Sequence, residues 1–401
     1  MEKYILKSII AEIAKGIDGL IDKGIIQQDR KVILYGLDRN SFAMRTILAN
    51  KNYHNIECFI SDDEAAVVAQ NREINYFICR FLNQAIDVIW VKTLQDRLCP
   101  YDDSVSILIA SPNYEEEKNK LIQLGYKEDV HFFRVYDFVD PEIDSMFEGK
   151  RLMTLKDMQQ VEKELLAYVD DLCVRHGIRY WVCGGTLLGT IRHKGFIPWD
   201  DDVDVFMPWK DYLKFIEVFE ETERYSMLGM GTSDTKEFSE IFAKVLDRRA
   251  VIDENLGTVR KINPVWLDVF PLIGLPADAE ERKLYFENYQ ELHRKIWQDF
   301  YAANGDVSVF PKWYKAQREF LEKYDFDRSD YVGTLGSVYG ERDCATRAAY
   351  EKTVRMPFED IEVNVPVGYK EYLDSMYGKD WGELPEESKR KSHHNIKVYW
   401  V

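Results

Sequence analysis

The chain has 401 residues, 46% of them hydrophobic and 13% aromatic, with a net charge of −17. That length suits two or three domains of about 150 residues each, and the composition supplies a sizeable core and excludes global disorder. The charge excludes a groove that tracks nucleic-acid phosphates with basic residues, so no nucleic-acid partner is expected; a small anionic substrate stays open, because one metal ion and a few local cations override the global field.

Residues 3–26 place Ile5, Ile9, Ile10, Ile13, Ile17, Leu20, Ile21 and Ile25 at helical spacing. They predict an amphipathic helix, within a segment spanning 1–28, that docks on a domain or a partner. A homodimer or a peripheral contact at the inner face of the membrane stays open. Lys and Glu interrupt the pattern, so no signal peptide is expected, and no run reaches the about 18 apolar residues of a membrane span. Six cysteines (Cys58, Cys79, Cys99, Cys173, Cys183 and Cys344) are scattered with no C-x-x-C pair. They fit a reducing cytoplasm better than structural zinc or a disulfide framework.

From Lys31 the pattern alternates. Buried strands are expected at Lys31–Gly36, Ile56–Ile60, Val88–Val91, Val105–Ala110 and Phe132–Tyr136, with helices at Ser41–Lys51 and 114–125. Strands alternating with helices imply a doubly wound parallel sheet over residues 29–140. The first turn, Gly36-Leu-Asp-Arg-Asn-Ser41, resembles the opening of a Rossmann-type domain, and acids Asp62 and Asp63 follow the second strand. It lacks G-x-G-x-x-G, so a scaffold, regulatory or oligomerisation role is a better expectation than dinucleotide binding.

Residues 137–150 carry a proline, a glycine and several acids and suit a linker. Thr154 to His176 then forms a long helix ended by Gly177, and Ile178–Val182 a strand. That strand runs into the diglycine Gly184-Gly185. Four aspartates follow within five residues, Asp200, Asp201, Asp202 and Asp204, at the start of the apolar run Val203–Met207. Side chains alternate along a strand, so Asp202 and Asp204 share one face. Two close carboxylates repel unless a cation sits between them, and hard oxygen ligands suit Mg²⁺ or Mn²⁺ holding a phosphate chain. Further on, strands are expected at Val265–Phe270 and Ile361–Val365, and helices near 278–301 and 312–324.

Strand, diglycine turn, helix, then a strand with Asp-x-Asp resembles the nucleotidyltransferase superfold that contains DNA polymerase beta. The glycines let the backbone approach phosphate oxygens at a helix N-terminus, and Thr186 adds a hydroxyl. The resemblance implies a third carboxylate from a neighbouring strand. Asp268, an acid within an apolar strand, suits that place. Gly184-Gly-Thr-Leu-Leu-Gly189, Arg192-His193, Gly195-Phe-Ile-Pro-Trp-Asp-Asp-Asp-Val-Asp204, Trp266-Leu-Asp-Val-Phe-Pro271 and Tyr377-Gly together resemble the LicD family, which includes bacterial phosphocholine transferases and is related to fukutin-type proteins. The resemblance covers about residues 150–401. The fold class expected is thus an α/β Rossmann-like N-terminal domain followed by an α+β nucleotidyltransferase-fold catalytic domain.

The resemblance implies transfer of a phosphorylated alcohol, phosphocholine first, from a CDP-activated donor such as CDP-choline to a hydroxyl of a cell-surface glycan or its lipid-linked precursor. It implies Asp202, Asp204 and Asp268 as metal ligands, Asp268 or Asp200 as proton acceptor, and Gly184, Gly185 and Thr186 as substrate-binding residues. Arg192 and His193, in the connection between the glycines and the aspartates, are placed to touch substrate phosphates, and Lys244, a cation on an apolar strand, either joins the substrate-binding residues or snorkels to the surface. Asp201, on the opposite face, is expected to make structural hydrogen bonds. Lys194 is expected in a basic loop, Trp181, Trp199, Trp209 and Trp266 in the core or around a quaternary ammonium, and His393-His394 on a surface tail. Two rival expectations stand: a nucleotidyltransferase making an NDP-activated compound, and a non-catalytic sugar-nucleotide sensor.

Overall fold

The structure, a computed structural model, describes residues 5–62, 88–94, 104–138, 140–229, 240–255, 259–337, 339–390 and 396–401. Cys79, Cys99, Asp63 and His393-His394 lie outside the described residues.

The N-terminal half holds five parallel strands, β2 (Lys31–Tyr35), β3 (Ile56–Ser61), β4 (Val88–Trp90), β5 (Val105–Ile109) and β6 (Phe132–Arg134), in the order β4-β3-β2-β5-β6. Every residue of β5 is buried and four of the five in β2 are. Such unbroken apolar runs are what a sheet covered on both faces requires. The expected helices lie at Arg39–Asn50 and Tyr114–Gln123. Asp38 caps the first of them, accepting from the Ser41 amide at 2.9 Å.

The chain's start departs from expectation. Ile5–Ser8 is a strand, β1, and the helix begins only at Ile9, running to Asp22. Ser8 caps that helix through the Ala11 amide, while the residues before it pair antiparallel with Val259–Ile262. The helix's apolar face is covered inside the molecule. Ile13 and Ile17 share a core with Leu34, Met44, Tyr285 and Phe300, so this face is not left for a second copy or a membrane.

The C-terminal part is built on a mixed sheet of nine strands, to which β1 also belongs. Its remaining members are β7 (Trp181–Val182), β8 (Asp204–Pro208), β9 (Tyr225–Leu228), β10 (Ala243–Asn255), β11 (Val259–Leu275), β12 (Tyr331–Gly333), β13 (Cys344–Thr346) and β16 (Ile396–Trp400), while β14 (Thr353–Phe358) and β15 (Ile361–Pro366) form a separate hairpin. The molecule is therefore mixed α/β, one sheet parallel and the other mixed. The long strand β11 is the spine: it pairs with β10 and β12 antiparallel and with β8 parallel.

The long helix Leu155–His176 is delimited as its sequence signals require. Thr154 and Asp157 form a reciprocal capping box, and Gly177 ends it at φ 60° and ψ 45°. Residues 137–150 are not a free linker. Asp140 and Pro141 start a short helix, Pro141–Ser145, and Lys7 and Arg260 tie it down through Asp140 and Asp144. The expected strand before the diglycine shortens to Trp181–Val182. No helix among the described residues is long and apolar enough to cross a membrane. The four described cysteines are buried.

Candidate active site

The site is assembled where β7, β8 and β11 meet the helix Gly184–His193. β7 and β8 pair antiparallel, and the Cys183 amide donates to the Asp204 carbonyl at 3.1 Å. Gly184 then turns the chain into the helix at φ +53°, a conformation that favours glycine. A Cβ there would lie 3.1 Å from an Asp204 carboxylate oxygen, and one on Gly185 would lie 2.5 Å from an Asp200 oxygen. The diglycine thus makes room for two of the four aspartates. The Gly184 amide donates to the Tyr372 hydroxyl at 3.2 Å, which itself donates to buried Asp343 at 2.5 Å. This amide therefore already has a protein acceptor.

The strand begins at Asp204, so Asp202 precedes it, contrary to expectation. The alternation survives even so: Asp202 and Asp204 are half-buried, and Val203 and Val205 between and after them are fully buried. Thr186 is buried, and its hydroxyl accepts from the Asp204 amide at 2.9 Å. Its visible role is to fix β8 rather than to present a donor to substrate. The Asp268 amide donates to the Val203 carbonyl at 2.9 Å, which fixes the other side of the same turn.

Register puts the decisive groups in one row. Lys244 on β10 faces Asp268 on β11, and Asp268 faces Asp204 on β8. The Lys244 Nζ lies 2.6 Å from Asp268 Oδ1 and 4.2 Å from the centre of the Trp266 ring, whose Nε1 donates to Asp268 Oδ2 at 3.2 Å. Lys244 therefore points into the site and does not snorkel to the surface. Asp200 and Asp201 are each 3% exposed. The Gln159 amide nitrogen donates to the Asp200 carbonyl at 2.9 Å, tying the aspartate turn to the long helix.

Burial, and then the charges of Asp202, Asp268 and Asp200, push the Asp204 carboxyl well above the ordinary range, with Lys244 opposing. Burial also raises Asp268, against Lys244 and Trp266. So many acids against one lysine leave a site that favours a cation. Hard carboxylate oxygens match Mg²⁺ or Mn²⁺ in donor chemistry. Among the described residues, however, no three such side chains already converge as a metal cluster.

Arg192, expected at a phosphate, donates from Nη1 to the carbonyls of Trp381 at 2.8 Å and Glu383 at 2.9 Å. It fastens the C-terminal loop over the helix. Burial, and then Arg192 beside it, push the His193 imidazole below its ordinary range, and its ring meets Trp199 edge-on. Lys194 is exposed at φ 61°, and its carbonyl accepts from the Glu359 amide. The four tryptophans do not form one cage: Trp181 is 2% exposed and packs on Tyr350, and Trp209 stacks on Tyr212. A cleft of about 250 Å³ lies beside Pro208, Trp209 and Tyr324, past the far end of β8 from Asp204, and none of the five aspartates of the site lines it.

Two residues, Tyr339 and Glu162, escaped the sequence reading. Tyr339 and the motif residue Tyr377, both exposed, lie within electrostatic reach of the aspartates. Glu162 is fully buried on the long helix, and burial, then Asp202, Asp201, Asp200 and Asp268, push its carboxyl well up. Its signal was visible in principle: an acid four residues after Met158 and three before Leu165, within an apolar stripe.

Residues 177–271 match the domain described as LicD/FKTN/FKRP, nucleotidyltransferase domain. The lipopolysaccharide cholinephosphotransferase LicD of Haemophilus influenzae is 32% identical over 268 residues, 62% of this chain and 98% of that protein. The chain belongs to the LicD family. Ribitol 5-phosphate transferase FKRP of mouse and of human each match at 49% over 43 residues, 11% of this chain and 9% of theirs, in keeping with the fukutin-type relationship. The LicD-family match opens at Gly177, where the long helix ends, and closes at Pro271 in β11. It therefore takes in the diglycine, the aspartate turn and Asp268.

Proposed function

We propose that this LicD-family chain transfers a phosphorylated alcohol, phosphocholine first, from a CDP-activated donor to a hydroxyl of a cell-surface glycan or its lipid-linked precursor. The observation that carries this is the row Lys244–Asp268–Asp204 beside the diglycine. Its support from relatives is the lipopolysaccharide cholinephosphotransferase, matched over nearly its whole length. The acceptor oxygen attacks the phosphorus that bears the alcohol, the phosphoanhydride bond breaks, and CMP leaves.

Asp202, Asp204 and Asp268 would hold Mg²⁺ or Mn²⁺, which supplies neutralisation of the donor's phosphate charge. Lys244 keeps Asp268 oriented and adds positive charge beside it. Asp268 accepts the hydroxyl proton. Asp200, 3% exposed, is the weaker candidate for meeting an acceptor. Thr186 and Gln159 hold the aspartate turn in place, and Arg192 holds the loop at 381–383 against the helix. The catalytic part is read as a nucleotidyltransferase fold of the DNA polymerase beta kind. The five-stranded unit is read as a Rossmann-like domain without the phosphate-binding fingerprint, and the protein as cytoplasmic.

The test is CMP release from CDP-choline, CDP-ethanolamine, CDP-glycerol and CDP-ribitol, with Mg²⁺ or Mn²⁺, with EDTA as control, and with and without glycan acceptors. Metal-dependent CMP from one donor is expected. No CMP from any donor overturns the proposal and moves the weight to NTP-dependent nucleotidyl transfer or to a sensor.

A further inference from the structure

Glu162 is 0% exposed, and neither of its carboxyl oxygens has a hydrogen-bond partner among the described residues. An unsatisfied buried polar group destabilises the fold, and a carboxylate does so more strongly. Among the described residues, the charged groups that act most strongly on it include no cation. The charged groups acting on it most strongly are Asp202, Asp201, Asp200 and Asp268, all acids of the candidate site. It stands one turn from Gln159, which binds the Asp200 carbonyl, on a helix that packs against β10 and β11. Glu162 therefore sits on the helix that Gln159 ties to the aspartate turn. A leucine here would pack in the same apolar stripe without the desolvation cost.

We propose that Glu162 is a positioning residue that completes the carboxylate set from the helix side, so that the site holds a divalent cation through Asp202 and Asp204. This rests on the cation reading of the site given above. A cation bound at the aspartates offsets the repulsion that these acids exert on Glu162. The residue then links cation occupancy to the seating of the long helix against the sheet.

The test is Mn²⁺ affinity, followed by loss of the free Mn²⁺ resonance signal, in the full chain and in Glu162→Gln, Glu162→Leu and Asp204→Asn. Thermal melts of each are run with and without Mn²⁺. Glu162→Gln and Glu162→Leu are expected to bind Mn²⁺ about tenfold more weakly or worse, to lose most of the Mn²⁺-induced rise in melting temperature, and to melt in EDTA no lower than the wild type. A residue with a merely packing role would leave Mn²⁺ affinity unchanged. Unchanged affinity in both Glu162 variants, with affinity lost in Asp204→Asn, overturns this inference and leaves the proposed site standing. A wild type that binds no Mn²⁺, or an Asp204→Asn that binds as the wild type does, overturns both.

Discussion

At the residue scale the site is a balance between crowded acids and few cations. Asp204 gains nothing from its neighbours except repulsion, Lys244 excepted. Asp204→Asn should therefore melt at or above the wild-type temperature in metal-free buffer, while CMP release falls on the order of 100-fold or more. Retained activity in that variant removes the proposed chemistry. Lys244 behaves in the opposite sense. Its side chain and that of Asp268 are 12% and 13% exposed and 2.6 Å apart. Lys244→Met leaves Asp268 buried without its cation, and breaking such a pair costs roughly 3–5 kcal/mol. Urea unfolding should show that loss, together with reduced turnover; a stability change near zero would mean that Asp268 is neutral in the resting protein.

At the scale of elements, the amino-terminal segment is one of the ties between the two sheets. β1 adds a strand to β11, and the following helix packs against the parallel unit. Gly16 on that helix is where contact is closest: a Cβ there would fall 1.9 Å from the Val135 carbonyl oxygen. The obstacle is backbone, which cannot swing aside. Gly16→Ala should therefore cost about 1–3 kcal/mol despite the better helix propensity of alanine, and raise amide exchange along Ile9–Asp22 before the rest of the chain. A melt equal to wild type would mean that the helix is free to shift.

At the scale of the whole molecule, two carboxylates shape acid stability in opposite directions. Burial pushes Glu164 up, but hydrogen bonds from Gln160 and Arg224 and the charge of Arg249 outweigh it, taking the group from 4.5 to about 2. Its folded value is below its unfolded one, so its contribution is present above about pH 4.5 and is lost as pH falls toward 2. Burial raises Glu117 from 4.5 to about 7, against a Ser111 hydrogen bond and helped by Asp38 and Asp62. Its contribution is full below pH 4.5 and declines as pH rises through 7. Glu164→Gln should flatten the stability profile only in the lower window, and Glu117→Gln only in the upper. Denaturant midpoints between pH 2 and 8 check both, and a single variant that flattens both windows contradicts the assignment.

The sequence by itself determined the alternating strands of the first half, the long capped helix, the diglycine, the aspartate turn and the family. Each of these is written in local spacing, which the backbone obeys whatever surrounds it. Only the tertiary structure decided the rest. Ile5 to Ser8 look helical by periodicity, yet the free edge of β11 takes them as a strand. Arg192 looks like a phosphate ligand, yet the carbonyls of Trp381 and Glu383, some 190 residues on, hold its guanidinium. Lys244, Asp268 and Asp204 become one row only because β10, β11 and β8 pair in that register. Glu162 becomes a buried, unpartnered carboxyl only because its helix is laid over the aspartates. Long-range pairing and burial are properties of the folded chain, and no short window of sequence contains them.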